Sequence, residues 1–233
     1  TGWAFLLNGS SFFAVLASLF FLRVSRLHTK VRAPRTKGSL TEGMRYVWAR
    51  PDLKAILLML FLIGTFGMNF PIFISTMAVS VFQADARGYG LLTSTLAIGT
   101  IAGALIAAGS ERPQFKSLLI GAAVFGFGCF LAALAPNYWM FAIALVIIGV
   151  GAMTFSNTTN SLMQLTTEPA MRGRVIALRV AVALGGTPLG APIVGWVADH
   201  LGPRWALVVG AVSGILAVGV ALYTLRRQLD KPR

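Results

Sequence analysis

The chain contains seven long runs of apolar, glycine and small polar residues, and the connections between them hold almost all of the charges. Each run has about twenty residues, the length that an α-helix needs to cross roughly 30 Å of hydrocarbon. The runs do not suit β-barrel strands, which are short and alternate in polarity. Since the backbone must satisfy its own hydrogen bonds in lipid, the pattern predicts seven transmembrane helices. The runs cover residues 3–22, 55–80, 89–109, 117–135, 138–163, 175–198 and 205–225.

The first run could be mistaken for a signal peptide because it begins almost at the first residue. It has no basic leading segment and no small-residue cleavage site, and nine basic residues follow it in 23–54. We therefore interpret the first run as a membrane span.

Charge sets the predicted orientation. The chain is 56% AVILMFWYC, yet its formal net charge is +13, which in a soluble protein would suggest a nucleic-acid partner. Here eighteen of the twenty Lys and Arg residues lie on alternate connections. This is the pattern of the positive-inside rule, which predicts residue 1 outside and the C-terminus in the cytoplasm. The expected setting is the cell (plasma or inner) membrane, with the lipid bilayer as partner and no nucleic acid.

The long basic connection 23–54 separates the first run from the other six. We expect four parts: a last helix of an N-terminal bundle (1–22), a basic cytoplasmic linker (23–54), a six-helix C-terminal bundle (55–225) and a cytoplasmic tail (226–233). The rest of the N-terminal bundle would be a partner that this chain lacks.

The second half of the linker has a helical pattern. Leu40, Met44, Val47 and Trp48 fall on one helical face, as in a short helix that lies along the inner membrane interface. A solvated basic loop is the alternative.

Two segments resemble a known family. LTEGMRYVWARPDLKAIL before the second run and NSLMQLTTEPAMRGRVIAL between the fifth and sixth resemble the major facilitator superfamily, in particular its drug- and siderophore-exporter branch (enterobactin-exporter-like and transmembrane secretion effector proteins). TPLGAPIVGWVADHLGPRWAL resembles the Gly/Pro-rich helix of such exporters. The resemblance implies the C-terminal part of a transporter, from its sixth to its twelfth helix. The connection AGSERPQFKS keeps only a trace of the family's loop motif.

Polar residues inside spans are costly in lipid and are therefore functional candidates. The second and fifth runs each carry such residues on one helical face, and the resemblance implies that these two helices line a central cavity. Neutral polar groups beside Met suit an amphiphilic organic substrate. The alternative is that the amides hydrogen-bond neighbouring helices. The candidates are Thr65, Met68, Asn69 and Ile72 on the second run, and Met153, Ser156, Asn157, Asn160 and Gln164 on the fifth.

Other residues suggest hinges, contacts or anchors. Proline removes a helix hydrogen bond, although membrane helices generally tolerate it. GTIAG and GAVSG are small-xxx-small motifs, at which helix backbones approach closely. Arg172 and Arg174 are expected in a cytoplasmic loop, where they pair with acidic residues or anchor the topology. Arg179, about a turn into the sixth run, is expected to snorkel to the interface. The hinge or gating candidates are Pro71, Gly186, Pro188, Gly190 and Pro192.

Several kinds of chemistry find no support in the sequence. No carboxylate lies deep in a run, so the coupling acid of a proton antiporter would lie outside this chain. There is no phosphate-binding loop motif. The two histidines lie in loops on opposite sides, and Cys129 is the single cysteine. We predict no catalytic residue, no metal and no cofactor.

The sequence thus predicts an all-α integral membrane protein that is a fragment of a secondary transporter. The resemblance implies export of drugs or siderophores by alternating access between two bundles. A seven-helix receptor and an intramembrane enzyme are the alternatives. A retinal protein would need a mid-membrane Lys, and an enzyme would need a buried nucleophile with its base.

Overall fold

The computed structural model of the chain describes residues 2–21, 39–109 and 114–229. All regular structure in these ranges is helical. The first half of the predicted linker (23–38), the connection at 110–113 and the end of the tail lie outside the described residues. The helices are α1 (Gly2–Phe20), α2 (Ser39–Ala49), α3 (Pro51–Leu62), α4 (Phe70–Thr76), α5 (Ala86–Ala108), α6 (Phe115–Leu134), α7 (Tyr138–Thr166), α8 (Arg172–His200) and α9 (Pro203–Leu229).

Six helices in the described ranges are long and apolar enough to cross a membrane, and each coincides with a predicted run to within a few residues. In α1 the corresponding stretch is a shorter apolar helix, Gly9–Phe20. The prediction of an all-α membrane protein is confirmed. The six spans are Pro51–Val81, Ala86–Ala108, Phe115–Leu134, Tyr138–Thr166, Arg172–His200 and Pro203–Arg227.

The chain divides into two compact units, residues 1–35 and residues 36–233. In the second unit, α5, α7, α6 and α9 pack side by side in that order, and α3 packs against α9 and α8. Phe73, Phe125 and Phe155 are fully buried in the core of this unit. Because lipid is as apolar as these side chains, close packing rather than exclusion of water holds the helices together.

Glycines bring the helix backbones close. A Cβ atom on Gly99 would collide with the backbone of Val146 in α7. A Cβ atom on Gly214 of α9 would lie 2.5 Å from the Cα of Gly126 in α6. Both predicted small-xxx-small motifs therefore lie at helix contacts, where a larger residue does not fit.

The spans end at polar caps on one side of the bundle. The Asp85 carboxylate accepts a hydrogen bond from the Gly88 N–H at 2.8 Å and caps α5. Arg204 donates to the carbonyls of Ala133 and Ala135 at 3.3 and 3.0 Å, which satisfies the end of α6. Arg204 is one of the two Lys and Arg residues that do not lie on the predicted cytoplasmic connections. Its hydrogen bonds to the end of α6 give it a structural role there. The opposite end of the unit, where α3, α6 and α8 begin, is called the basic end below.

We predict that Gly99→Ala destabilises the unit by about 1–3 kcal/mol, the usual cost of overpacking. Gly90 lies on the same helix, and its Cβ position has no heavy atom within 4 Å. Gly90→Ala should therefore be neutral, or stabilising by up to about 1 kcal/mol through helix propensity. Reversible unfolding in mixed micelles, followed by circular dichroism, measures both variants. Equal stability of the two variants would contradict the α5–α7 contact.

Candidate functional site

The second span is broken near its middle. A π-helical turn, Ile63–Gly67, follows α3, and Met68 and Asn69 are not helical before α4 begins. Pro71 lies in the first turn of α4, where its missing N–H breaks no helical hydrogen bond. The Asn69 amide donates to the Thr65 carbonyl at 2.7 Å. One carbonyl at the break is therefore satisfied by a side chain of the same span, as lipid requires.

The break packs directly against α8. A Cβ atom on Gly190 would overlap the Thr65 carbonyl oxygen, and one on Gly186 would lie 2.8 Å from the Thr65 hydroxyl oxygen. Thr65 and Asn69 are only 2% and 1% exposed. Thr65 thus lies in the contact with α8, and both side chains are buried, whereas the predicted neighbours Met68 and Ile72 are half-buried.

Two polar atoms at the break have no partner among the described residues. They are the hydroxyl oxygen of Thr65 and the side-chain carbonyl oxygen of Asn69, and both are buried. An unpaired buried polar atom costs roughly 1–3 kcal/mol. Packing against the α8 glycines, rather than a complete set of hydrogen bonds, therefore holds this segment in place.

The structure divides the predicted stripe on α7, which consists of Met153, Ser156, Asn157, Asn160 and Gln164. Its cavity-lining part, Asn157 and Asn160, is here called the α7 polar face. Asn157 and Asn160 line a cavity of about 370 Å³ near the basic end, between α5, α6 and α7. Neither amide forms a side-chain hydrogen bond with any described residue, so both are available to a ligand. Ser156 faces α8 instead, Met153 is half-buried and Gln164 is exposed.

The cavity is mostly polar on its α7 side and apolar on its α5 side. It takes no residue from the second span, so the structure does not bring the two predicted stripes together in one pocket. Its polar lining residues are Ser117, Thr154, Asn157, Thr158, Asn160 and Ser161.

Arg179 corrects an expectation from the sequence, because it does not snorkel to the interface. Its guanidinium donates from Nη2 to the Ser156 carbonyl and hydroxyl oxygens, at 3.0 and 3.3 Å. Its Nε is buried without a hydrogen-bond partner, and no acidic side chain in the described ranges pairs with it. An unpaired charge inside a membrane span is a functional candidate.

A sequence signal could have identified Arg179. It precedes Gly186 by seven residues and Gly190 by eleven, which places all three on one face of α8. Because Gly186 and Gly190 pack against the broken span, this face of α8 points into the unit. Arg179 lies on the same face and therefore also points inwards, towards Ser156 of α7. A residue roughly 10 Å inside a helix, at 1.5 Å per residue, is also far from the headgroups.

At the basic end, α2 is docked on the connection between α7 and α8. Val47 is fully buried, the Glu168 N–H donates to the Tyr46 hydroxyl at 3.3 Å, and Arg50 donates to the Thr166 carbonyl at 3.3 Å. The hydrogen bond between Arg50 and Asp52 raises the pKa of Arg50 above its ordinary value.

The rest of the predicted apolar face of α2 turns outwards. Met44 is 42% exposed and Trp48 is 57% exposed, while the side chain of Leu40 lies outside the described residues. The side chain that docks the helix is therefore Val47, one of the four predicted.

Arg172 and Arg174, predicted in a loop, both lie in the first turn of α8, and their contacts differ. Arg174 forms an ion pair with Glu42 of α2 at 2.9 Å, whereas Arg172 is exposed and forms no ion pair in the described residues. Because Glu42 is half exposed, such a pair contributes about 0–1 kcal/mol, so the apolar contact of Val47 dominates the docking.

The chain is similar to known proteins along almost its whole length. The family model described as Transmembrane secretion effector matches residues 1–231. The chain is 26% identical over 198 residues to Multidrug efflux pump Tap of Mycolicibacterium fortuitum, covering 83% of the chain and 48% of that protein. It is 30% identical over 159 residues to Multidrug resistance protein B homolog of Mycobacterium tuberculosis, covering 68% and 28%. It is 27% identical over 135 residues to Probable sphingolipid transporter spinster homolog 1 of Arabidopsis thaliana, covering 57% and 27%. The chain thus spans between about a quarter and a half of the length of these relatives.

We predict that Gly190→Ala loosens the break in the second span, because the added methyl group pushes α8 away from Thr65. Gly195 on the same helix has no heavy atom within 4 Å of its Cβ position, which makes Gly195→Ala the matched control. Hydrogen exchange of residues 65–72 in micelles, followed by mass spectrometry, should accelerate in the first variant only. Unchanged exchange in Gly190→Ala would contradict the proposed contact.

Proposed function

Because the chain belongs to the transmembrane secretion effector family of the major facilitator superfamily, we propose that it forms the C-terminal part of a secondary transporter that exports amphiphilic small molecules. Family membership places it among transporters rather than enzymes. The observation that carries the substrate proposal is the α7 polar face, whose Asn157 and Asn160 amides are unpaired among the described residues. A substrate would satisfy these amides.

The size and lining of the α7 cavity support an amphiphilic substrate. Its volume of about 370 Å³ falls within the roughly 300–1,000 Å³ typical of small-molecule sites. Neutral hydroxyl and amide groups lie opposite alanine and isoleucine side chains of α5 and α6. Two relatives are described as Multidrug efflux pump Tap and Puromycin resistance protein pur8, which favours drug-like compounds over ions.

We propose that a second helical bundle covers α5 and α8. The most apolar parts of these two helices are only 22% and 17% buried, against 44–56% for the other four spans of the unit. They therefore present the largest apolar faces of the six spans. The relatives are at least about twice as long as the region they share with this chain, which leaves room for such a bundle.

The proposed mechanism is alternating access, in which the two bundles rock around the substrate. The break at Met68 and Asn69 and the glycine contact of α8 would serve as hinges, with Pro71, Pro188 and Pro192 beside them. Because the break is held by packing and has unpaired polar atoms, moving it would disrupt few hydrogen bonds. The distribution of Lys and Arg supports a plasma-membrane location with a cytoplasmic C-terminus.

Arg179 of α8 is a charged group beside the α7 polar face, because it donates hydrogen bonds to Ser156 of α7. Its neighbour Ser156 lies next to Asn157 on the side of α7 that faces α8, so a substrate that extends from the α7 polar face towards α8 would reach the guanidinium. We propose that it receives an anionic or strongly accepting group of the substrate.

The role of the α7 polar face can be tested with Asn160→Leu. In cells that produce the complete reading frame containing these residues, this change should alter the relative efflux of a compound panel by up to about tenfold, the effect of one lost hydrogen bond. Gln164→Leu is the matched control, because Gln164 is exposed and does not line the cavity. An unchanged efflux profile for Asn160→Leu, at equal expression, would refute the assignment.

Arg179→Gln tests the charged group separately. Losing a charge-assisted hydrogen bond costs about 1.5–3 kcal/mol, so efflux of anionic compounds should fall roughly 10- to 100-fold relative to neutral ones. Arg179→Lys keeps the charge and should retain part of the preference. An equal loss for anionic and neutral compounds would show a structural role instead of a role in substrate binding.

A further inference from the structure

A second concavity lies at the basic end, between the start of α3 and the end of α9. Its volume is about 910 Å³, and it is distinct from the α7 polar face because no residue of α7 lines it. We call it the α3–α9 groove. Its lining includes Trp48, Lys54, Leu58, Val220, Tyr223 and Arg227.

Two cations in the groove are fixed by aromatic rings. The Lys54 ammonium lies 5.6 Å from the centroid of the Trp48 ring, and the Arg227 guanidinium lies 5.0 Å from the centroid of the Tyr223 ring. Neither cation forms an ion pair in the described ranges. Arg50 also lines the groove, but Asp52 neutralises it at 3.0 Å. The groove therefore carries two uncompensated positive charges.

The groove changes from charged to apolar along the helix axes. Leu58 follows Lys54 by one turn of α3, and Val220 precedes Arg227 by two turns of α9, so each apolar residue lies on the same face as its cation. Leu58 is 44% exposed although it lies inside a span. Trp48 and Tyr223 flank the charged end, as aromatic residues do at a membrane interface.

We propose that the α3–α9 groove binds an anionic phospholipid, with its phosphate between Lys54 and Arg227 and its acyl chains along Leu58 and Val220. Charge complementarity selects an anion, and the apolar floor selects a molecule with hydrocarbon chains. A free phosphate ion would leave Leu58 and Val220 without a partner, and a basic peptide would be repelled. A bound lipid would join the α2–α3 junction to α9.

Quenching of tryptophan fluorescence tests this site. The full chain is reconstituted in phosphatidylcholine vesicles that contain a small fraction of phosphatidylglycerol or phosphatidylcholine with brominated acyl chains. Of the five Trp residues, only Trp48 is predicted at the basic end, so the difference from Trp48→Phe isolates its signal. Brominated phosphatidylglycerol should quench Trp48 more strongly than brominated phosphatidylcholine.

Charge variants then locate the lipid. Lys54→Gln and Arg227→Gln should each lower the relative binding constant of phosphatidylglycerol about fivefold, the effect of one basic residue near an anionic lipid. Lys54→Arg should retain the preference. Lys116→Gln is the matched control, because Lys116 is exposed at the same end and does not line the groove.

Three results would overturn the proposal. The first is equal quenching of Trp48 by the two brominated lipids. The second is a loss in Lys116→Gln as large as that in Lys54→Gln, which would indicate general attraction to the surface. The third is abolition of the preference by millimolar inorganic phosphate at constant ionic strength, which would identify a site for a soluble anion.

Discussion

The structure depends on one constraint: in lipid, each backbone N–H and C=O group must find its partner within the protein. Continuous helices meet this constraint in five of the six described spans. In the second span the helix is interrupted at Met68 and Asn69. There the Asn69 amide donates a hydrogen bond to the Thr65 carbonyl, and Gly186 and Gly190 of α8 pack against Thr65. An interrupted helix costs free energy in lipid, because some backbone groups lose their helical partners. For this reason we place the moving part of the proposed transporter at this break.

The same solvent also decides how the helices associate. Because lipid offers apolar side chains the same environment as the core, association depends on close contact between backbones. Glycines supply that contact between α5 and α7, between α6 and α9, and between α8 and the second span. In the described ranges most charged contacts lie at the ends of the spans, where Arg204 caps α6 and Glu42 pairs with Arg174. Arg179 is the exception, since its charge is held inside the unit by Ser156.

The helices could be predicted from sequence because hydrophobic length and backbone satisfaction are properties of single segments. The site could be predicted only in part, because it depends on how neighbouring segments fit. Thr65 and Asn69 look like cavity residues by spacing, yet both are buried, and Gly186 and Gly190 let α8 pack onto Thr65. Met44, Val47 and Trp48 share a helical face, but of the three only Val47 is buried. Asn157 and Asn160 stay accessible because α5 and α6 leave a gap beside α7.

The central claim is that substrate lies on the α7 polar face. It is tested most directly by substrate protection of a cysteine placed there, in the complete reading frame and with buried Cys129 changed to alanine. The rate of maleimide labelling of Asn160→Cys is compared with that of Gln164→Cys, with and without a transported compound. We predict that the compound slows labelling at position 160 and leaves position 164 unchanged. Labelling at position 160 that the compound does not slow would contradict the claim.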